Sequence, residues 1–509
     1  MLLIHPPIAK PGEPPAGIAK IAGTLRHHGL PVTALDASIE GFHYLLNLPL
    51  QPEGTFSRRA VSHAKRNLQE IRTWDAYHTI SRYTTIVNEL NRIPFLAGQR
   101  QGVRATFSNY TDASLSPVNS RDLLRAAQFP ETNLFYPYFE RRLMDLLSQN
   151  QFDWIGFSLN YLSQALTTFA MIGFIKKRWP QGRIVLGGGL VSSWMSRPGW
   201  TDPFTSLVDH MVQGSGEAPL LALHGLFPEA SNCYRPDYSL FDPDLYFSPG
   251  LILPYATSAG CYWGKCSFCP ESAEKNRYYP YPAEKVVSDL AILNRDTDPT
   301  LVHLLDNALS PSMMKALIAR KPCFSWYGFA RVSHDLMDPD FLKDLKESGC
   351  VMLQLGIESG DQGVLDSLQK GVFVEMAGKA LKAIHRSGIA TYAYLLFGTP
   401  PESQVQARHT LDFTVENADF IDFLNIAIFN LPIDSPESKS LDLFPFYEGD
   451  LSLYSDFRHP KGWGRREVRG FLDREFKSHP AITPIIQRDP PFFNSSHAPL
   501  FIMNTMKKK

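Results

Sequence analysis

No run of eighteen apolar residues occurs in this sequence. The nearest candidate, Ile155 to Ile175, is broken by Ser158, Asn160, Ser163, Gln164, Thr167 and Thr168, so no membrane span is expected. Cysteine is scarce, six in 509 residues, which excludes a disulfide scaffold. An excess of one charge is also missing: 50 Lys and Arg against 51 Asp and Glu leave a net charge of −1. Such a chain has no field that gathers polyanions, and nucleic acid is not an expected partner. The opening residues, Met1-Leu2-Leu3-Ile4-His5-Pro6-Pro7, lack the charged start, apolar stretch and cleavage site of a secretory leader, so a cytoplasmic location is expected. No internal repeat stands out, and the Lys507–Lys509 tail reads as a solvated end.

What is present is an apolar content of 44% over 509 residues, enough for two or three domains at about 150 residues each. Short apolar strands at Leu2–Ile4, Val32–Asp36, Trp154–Leu159, Arg183–Leu186 and Leu207–Val212 alternate with helices at Ala16–His28, Gln164–Arg178 and Glu217–Leu223. This alternation predicts an α/β fold, a doubly wound Rossmann-like domain over residues 1–230 with ligand sites at the strand carboxyl ends. A polar, Arg-rich stretch, Ser57–Arg104, has helical spacing and no clear strands, and predicts a largely helical insertion over about 40–140. Residues 231–250, with Arg235-Pro236-Asp237 and Asp242-Pro243-Asp244, have the composition of a linker.

Alternation restarts with six strand candidates, Leu251–Thr257, Leu301–Asp306, Phe324–Phe329, Val351–Ile357, Thr391–Phe397 and Phe420–Phe429. Helical stretches between them predict a partial (β/α)6 TIM-like barrel over 251–430, its chemistry on loops at the strand carboxyl ends. Residues 431–509 form a Pro- and aromatic-rich α+β extension, in which Trp463, Arg465, Arg466, Arg469, Phe492-Phe493 and His497 are candidate pocket residues or ordinary surface and half-buried ones.

Three of the six cysteines fall in Cys261-Tyr262-Trp263-Gly264-Lys265-Cys266-Ser267-Phe268-Cys269, directly after the first barrel strand. Three thiolates in one loop can hold three irons of a cubane and leave the fourth open. A zinc knuckle completed by His303 or His334 is the other reading, since soft thiolates accept either metal. Cys323 and Cys350 begin apolar runs and read as buried, inert thiols; Cys233 stands apart.

With this loop the sequence resembles the radical S-adenosylmethionine (SAM) superfamily, and more closely its members with an N-terminal cobalamin-binding domain, over roughly residues 1–40 and 150–430. The resemblance implies a 4Fe-4S cluster on Cys261, Cys266 and Cys269, with SAM chelating the open iron and cleaved reductively to a 5′-deoxyadenosyl radical. Four residues between Cys261 and Cys266, where three are commonest, mark a departure from the family. Phe268 matches the family's aromatic position, which implies packing near the adenine or plain core packing. Gly356-Ile357-Glu358-Ser359-Gly360 is similar to a family motif whose glutamate contacts SAM, and Val364-Leu365 and Lys370-Gly371 follow in the expected order.

Other strand ends supply further cofactor candidates. Asp306 and Asn307 end the second barrel strand and serve either the site or a helix cap. Arg331 follows the third, where its fork suits a carboxylate. Ser359 belongs to the fourth, and Gly398, in Phe397-Gly398-Thr399-Pro400-Pro401-Glu402, allows close approach of a ligand or makes a turn. In the first domain the candidates are Ser158, Asn160, Gly187, Gly188, Gly189, Gly214, Gly216 and Glu217, whose glycines admit a nucleotide-like tail near a helix start.

Their placement, with Pro6-Pro7 and Asp36, is similar to the cobalamin domain of the same enzymes. No Asp-x-His-x-x-Gly segment is present, so the resemblance implies either cobalamin without a protein histidine or a domain that has lost it. Three functions remain open at this point: cobalamin-dependent methylation of an unactivated carbon, a radical SAM rearrangement or oxidation without cobalamin, and a non-catalytic zinc or iron–sulfur binding protein. The enzyme readings imply a small-molecule or peptide substrate and an electron donor such as flavodoxin or ferredoxin.

Overall fold

A computed structural model describes residues 1–227, 233–489, 498–500 and 502. Phe492-Phe493, His497 and Lys507–Lys509 lie outside the described residues. The chain divides into two compact units, one built from Met1–Leu251 with Tyr447–Leu453, the other from Ile252–Phe446 with 454–489.

The first unit has strands β1 (Leu2–His5), β2 (Thr33–Asp36), β3 (Val103–Ala105), β4 (Tyr110–Asp112), β5 (Ile155–Ser158), β6 (Ile184–Gly187) and β7 (His210–Met211). Five pair in parallel in the order β2-β1-β5-β6-β7. The order reverses direction at β1 and β5, the point where doubly wound sheets leave a crevice at their carboxyl ends. All four residues of β1 are buried, as an internal parallel strand covered on both faces requires. Helix Ala16–His27 buries Ile18, Ala19, Ala22 and Leu25; Ile18, Ala22 and Leu25 join Leu3, Trp154, Val185, Val212 and Leu221 in one core.

The insertion is helical over Thr55–Glu70 and Ile80–Gln99, as its spacing predicts. Its polar composition is explained by Glu89, which is 2% exposed and takes Arg59 at 2.6 Å, His63 at 3.1 Å and Asn67 at 2.6 Å. The pairing joins the two helices through Glu89 on one and Arg59, His63 and Asn67 on the other. The absence of strands is corrected: β3 and β4 form an antiparallel hairpin, closed where Thr106 Oγ1 accepts from the amides of Ser108 and Asn109.

Residues 233–250 run as a packed strap on the first unit. Tyr238, Tyr246 and Phe247 are buried, the Asp237 amide donates to Ala19 O at 2.8 Å and the Phe247 amide to Pro11 O at 2.9 Å. Their Pro and Asp residues end regular structure, while their tyrosines supply burial.

In the second unit, β8 (Ile252–Tyr255) is followed by the short β9 (Ser258–Ala259) and β10 (Tyr279–Pro280), then β11 (Leu301–Leu309), β12 (Trp326–Ala330), β13 (Cys350–Glu358), β14 (Ala390–Phe397) and β15 (Phe423–Ile428). Strands β8, β11, β12, β13, β14 and β15 lie side by side in chain order, all parallel. This is the six-strand open barrel that the alternation predicts. Beyond it, β16 (Leu431–Pro432), β17 (Leu443–Pro445) and β18 (Tyr454–Phe457) make an antiparallel sheet, with helices at Arg465–Phe471 and Thr483–Arg488. Among the described residues no helix is long and apolar enough to cross a membrane.

Candidate active site

The cysteine loop hangs between β9 and β10, whose antiparallel pairing, Ala259 with Tyr279 and Ser258 with Pro280, brackets it at the base. Asp306 fixes the entry. Its carboxylate, 3% exposed, accepts from the Thr257 amide at 3.0 Å, from Thr257 Oγ1 at 2.8 Å and from Ser258 Oγ at 2.5 Å. Burial raises its pKa, against the lowering effect of those donors. Asp306 therefore ties β11 to the start of the loop, and neither it nor Asn307 caps a helix: β11 runs on to Leu309, and Ser310 caps the next helix by accepting from the Met313 amide. Asn307 is exposed on β11.

Cys261, Cys266 and Cys269 are all half-buried. Burial raises the Cys266 thiol, opposed by the charges of Lys370 and Arg331, and lifts that of Cys269 to about 11. Among the described residues no three His, Cys, Asp or Glu side chains stand as a preformed metal-holding group. Of the two candidate fourth zinc ligands, His303 stacks on Tyr327 with ring centroids 4.5 Å apart, and His334 is exposed before the Asp335–Met337 turn. Three thiols in one loop, with the charges of Lys370 and Arg331 acting on Cys266, are a donor set that fits a three-thiolate cluster.

A turn at Leu368–Gly371 holds the loop from the other side. The Ser267 amide donates to Leu368 O at 3.1 Å, and Trp263 Nε1 donates to Gln369 O at 3.1 Å. Arg331 Nη2 donates to Lys370 O and, at 2.9 Å, to Gly371 O. Gly371 has φ +61°, and a Cβ there would lie 2.3 Å from the Trp263 ring, so only glycine lets the indole seat. Arg331 lies over that ring, its guanidinium carbon 3.8 Å from the centroid. Sequence reasoning placed Arg331 as a carboxylate fork and gave Trp263 no role; the structure engages both in loop fastening, a contact between residues far apart in the chain.

Glu358 ends β13 with φ +67°, a backbone setting that costs a non-glycine residue energy and is retained where the surroundings enforce it. Lys370 enforces it, with Nζ 2.7 Å from Oε1 and the two side chains only 9% and 13% exposed. The same ammonium lies 5.7 Å from the Phe268 ring centre, bringing Glu358, Lys370 and Phe268 together. Ser359 points away: it is 1% exposed, and its hydroxyl meets Thr410 Oγ1 at 3.1 Å while accepting from the Asp361 amide.

Gly398 has φ +78°, and its amide donates to Glu402, a residue that sequence reasoning quoted without assigning a role. Trp463 Nε1 donates to the same Glu402 oxygen at 2.9 Å, and His459 Nε2 lies 2.9 Å from Thr399 O. The extension is thereby anchored on the β14 loop. Glu402 is fully buried and raised to about 7 by desolvation. Arg465 contacts Phe429 O and Asn430, whereas Arg466 and Arg469 are exposed.

In the first unit, Asn160 Nδ2 donates to Ser158 O and Oγ, and its Oδ1 accepts from the Gly189 amide at 2.9 Å. Gly188, at φ +112°, approaches Leu159 O so closely that a Cβ would lie 2.4 Å away. Gly187 lies against Val212, and Gly216 against Ile21, whereas Gly214 has open space where a Cβ would stand. Glu217 pairs with Lys20 at 2.6 Å. The carboxyl ends of β5, β6 and β7 thus carry small residues, with Asn160 linking Ser158 and Gly189 by hydrogen bonds. His5 is buried beside Asp36, so it is not offered as a ligand.

Residues 255–414 match the profile of the Radical SAM superfamily. The barrel is a radical SAM domain. Relatives of the chain include an uncharacterised methyltransferase of Pyrococcus horikoshii, 26% identical over 35% of this chain and 40% of that protein. Another is the bacteriochlorophyllide d C-12(1)-methyltransferase of Chlorobaculum tepidum, 23% identical over 47% of this chain and 56% of that one. The chain thus spans about half the length of these relatives. The fold extends the likeness past the radical SAM domain: the radical SAM methyltransferase TsrM of Kitasatospora setae, solved with cobalamin and a [4Fe-4S] cluster, superposes with a TM-score of 0.51 at 15% identity, over 86% of this chain and 77% of that one. The cobalamin-dependent radical enzyme OxsB gives 0.50 at 14% identity, over 66% and 60%.

Proposed function

We propose that this radical SAM enzyme transfers a methyl group to an unactivated carbon of a small-molecule or peptide substrate, with cobalamin held by the first unit. The observation that carries the reading is a loop with three cysteines, Cys261, Cys266 and Cys269, set at the carboxyl ends of a parallel barrel whose fourth strand ends on the ion-paired Glu358. Fold likeness to two cobalamin-dependent enzymes supports the assignment of the first unit. When bound, the cluster and SAM supply a 5′-deoxyadenosyl radical and cobalamin a transferable methyl group.

The protein's own residues have distinct tasks in this reading. Cys261, Cys266 and Cys269 ligate the cluster. Glu358 accepts hydrogen bonds from the SAM amino group or ribose hydroxyls, and Phe268 packs against its base. Asp306 and Arg331 act by holding the loop. Ser158, Asn160, Gly187, Gly188, Gly189 and Gly214 leave room for the corrinoid tail.

Anaerobic reconstitution with iron and sulfide, followed by dithionite and SAM, tests the reading. The wild-type chain is expected to bind iron and release 5′-deoxyadenosine, and Cys266→Ala to lose both. A colourless protein holding stoichiometric zinc would sink it. Corrinoid absorbance that persists through gel filtration supports the methyl-transfer arm; iron and 5′-deoxyadenosine without retained corrinoid would leave a radical SAM enzyme of another reaction type.

A further inference from the structure

The cysteine loop carries one residue more than the commonest spacing of the family it resembles, and the added length lies in the stretch that bears Trp263. Three strands of the barrel sheet feed this stretch: β8 comes before the loop, β12 delivers Arg331, and β13 leads towards the Leu368–Gly371 turn. All four carbonyls of that turn are engaged by the loop or by Arg331, with Leu368 O taken by Ser267, Gln369 O by Trp263, and Lys370 O and Gly371 O by Arg331. Besides gripping the turn, the guanidinium lies over the indole of Trp263, three residues before Cys266 in the same loop, and its charge acts on Cys266.

An arginine so placed does two physical things. It fixes the loop, because its planar fork satisfies two carbonyls at once. It also puts a permanent positive charge and N–H donors beside one thiolate ligand of the cluster. Hydrogen bonds to ligand sulfur and nearby net charge are principal determinants of iron–sulfur reduction potentials. A cation favours the reduced, more negative form, so it makes the one-electron reduction easier. Lys370 adds a second cation close by, but Glu358 pairs with it at 2.7 Å. Among the described residues Arg331 pairs with no carboxylate; its guanidinium meets the two carbonyls and the indole.

We propose that Arg331 is a positioning residue that raises the reduction potential of the cluster, so that a low-potential one-electron donor of the flavodoxin or ferredoxin class can reduce it. Trp263 and Gly371 form the seat that keeps the guanidinium beside Cys266. The inference rests on the cluster reading above. In the step it assists, the donor loses one electron and the cluster gains it, with no bond made or broken by Arg331.

The test uses the full chain, reconstituted anaerobically as wild type, Arg331→Lys and Arg331→Gln, with iron and sulfide content and an EPR-monitored redox titration for each. A loaded Arg331→Gln is expected to reduce at a more negative potential than wild type, and Arg331→Lys to fall between them. Trp263→Phe, which keeps a ring but loses the Nε1 donor, is expected to load and to shift less than Arg331→Gln. Equal potentials in loaded wild type and Arg331→Gln would overturn the proposal. If Arg331→Gln loses its iron, Arg331→Lys decides: iron retained there supports a need for the charge, and iron lost in both makes the role one of scaffold alone. Failure of the wild type itself to take up iron is a different result, which removes the cluster reading.

Discussion

At the scale of single residues, the site is held by groups whose roles depend on one partner each. Glu358 and Lys370 are both nearly buried and paired at 2.7 Å. Removing one charge from such a pair strands the other, at a cost of about 3–5 kcal/mol, whereas replacing both is far milder. Lys370→Met is therefore expected to lower stability in urea unfolding by that order, and the double variant Glu358→Gln/Lys370→Met to recover most of it. A loss in the double variant as large as in the single one would show that the pair matters through packing instead. Glu358 was legible in the sequence because it stands in a recognisable motif. Trp263 was not, because nothing in its neighbours reveals that Gly371, more than a hundred positions away, leaves space for the indole.

Among the secondary-structure elements, the barrel strands were the most readable features, since each is a short apolar run between turn residues. Strand β13 is central in the sheet, between β12 and β14, and Leu353 on it is fully buried. Leu353→Ala is expected to cost about 2–5 kcal/mol, read as a lower midpoint in chemical denaturation. The loop after β14 carries a pH signature. Glu402, raised to about 7, keeps its proton in the folded chain between pH ~4.3 and that value, while the unfolded chain loses it. Stability then falls by about 1.4 kcal/mol per pH unit as pH rises through this window and levels off above it. Asp489, lifted to about 7 by burial, slopes the same way. Glu402→Gln is thus expected to remove about half of the pH slope in thermal melts between pH 5 and 7; an unchanged slope would count against a protonated Glu402. The β3–β4 hairpin escaped the sequence because its strands are only three residues long, too short for alternation to register.

For the whole molecule, the two regions proposed to bind cofactors belong to different compact units, the glycines after β6 and β7 to one and the cysteine loop to the other. Cys266→Ala is accordingly expected to lose iron yet to retain added hydroxocobalamin through gel filtration as well as wild type does. Loss of both together would mean that the units do not load independently. The sequence by itself determined the alternation of strands and helices, the position of the three cysteines after a strand, and the Gly-Ile-Glu-Ser-Gly motif, because these are local in the chain and follow from periodicity and spacing. Only the tertiary structure decided that Asp306 braces the loop entry, that Arg331 grips the carbonyls of Lys370 and Gly371, and that residues 233–250 pack down as a strap. Each of those outcomes is a hydrogen bond or close contact between distant segments, whose partners become neighbours only once the parallel sheets have aligned them.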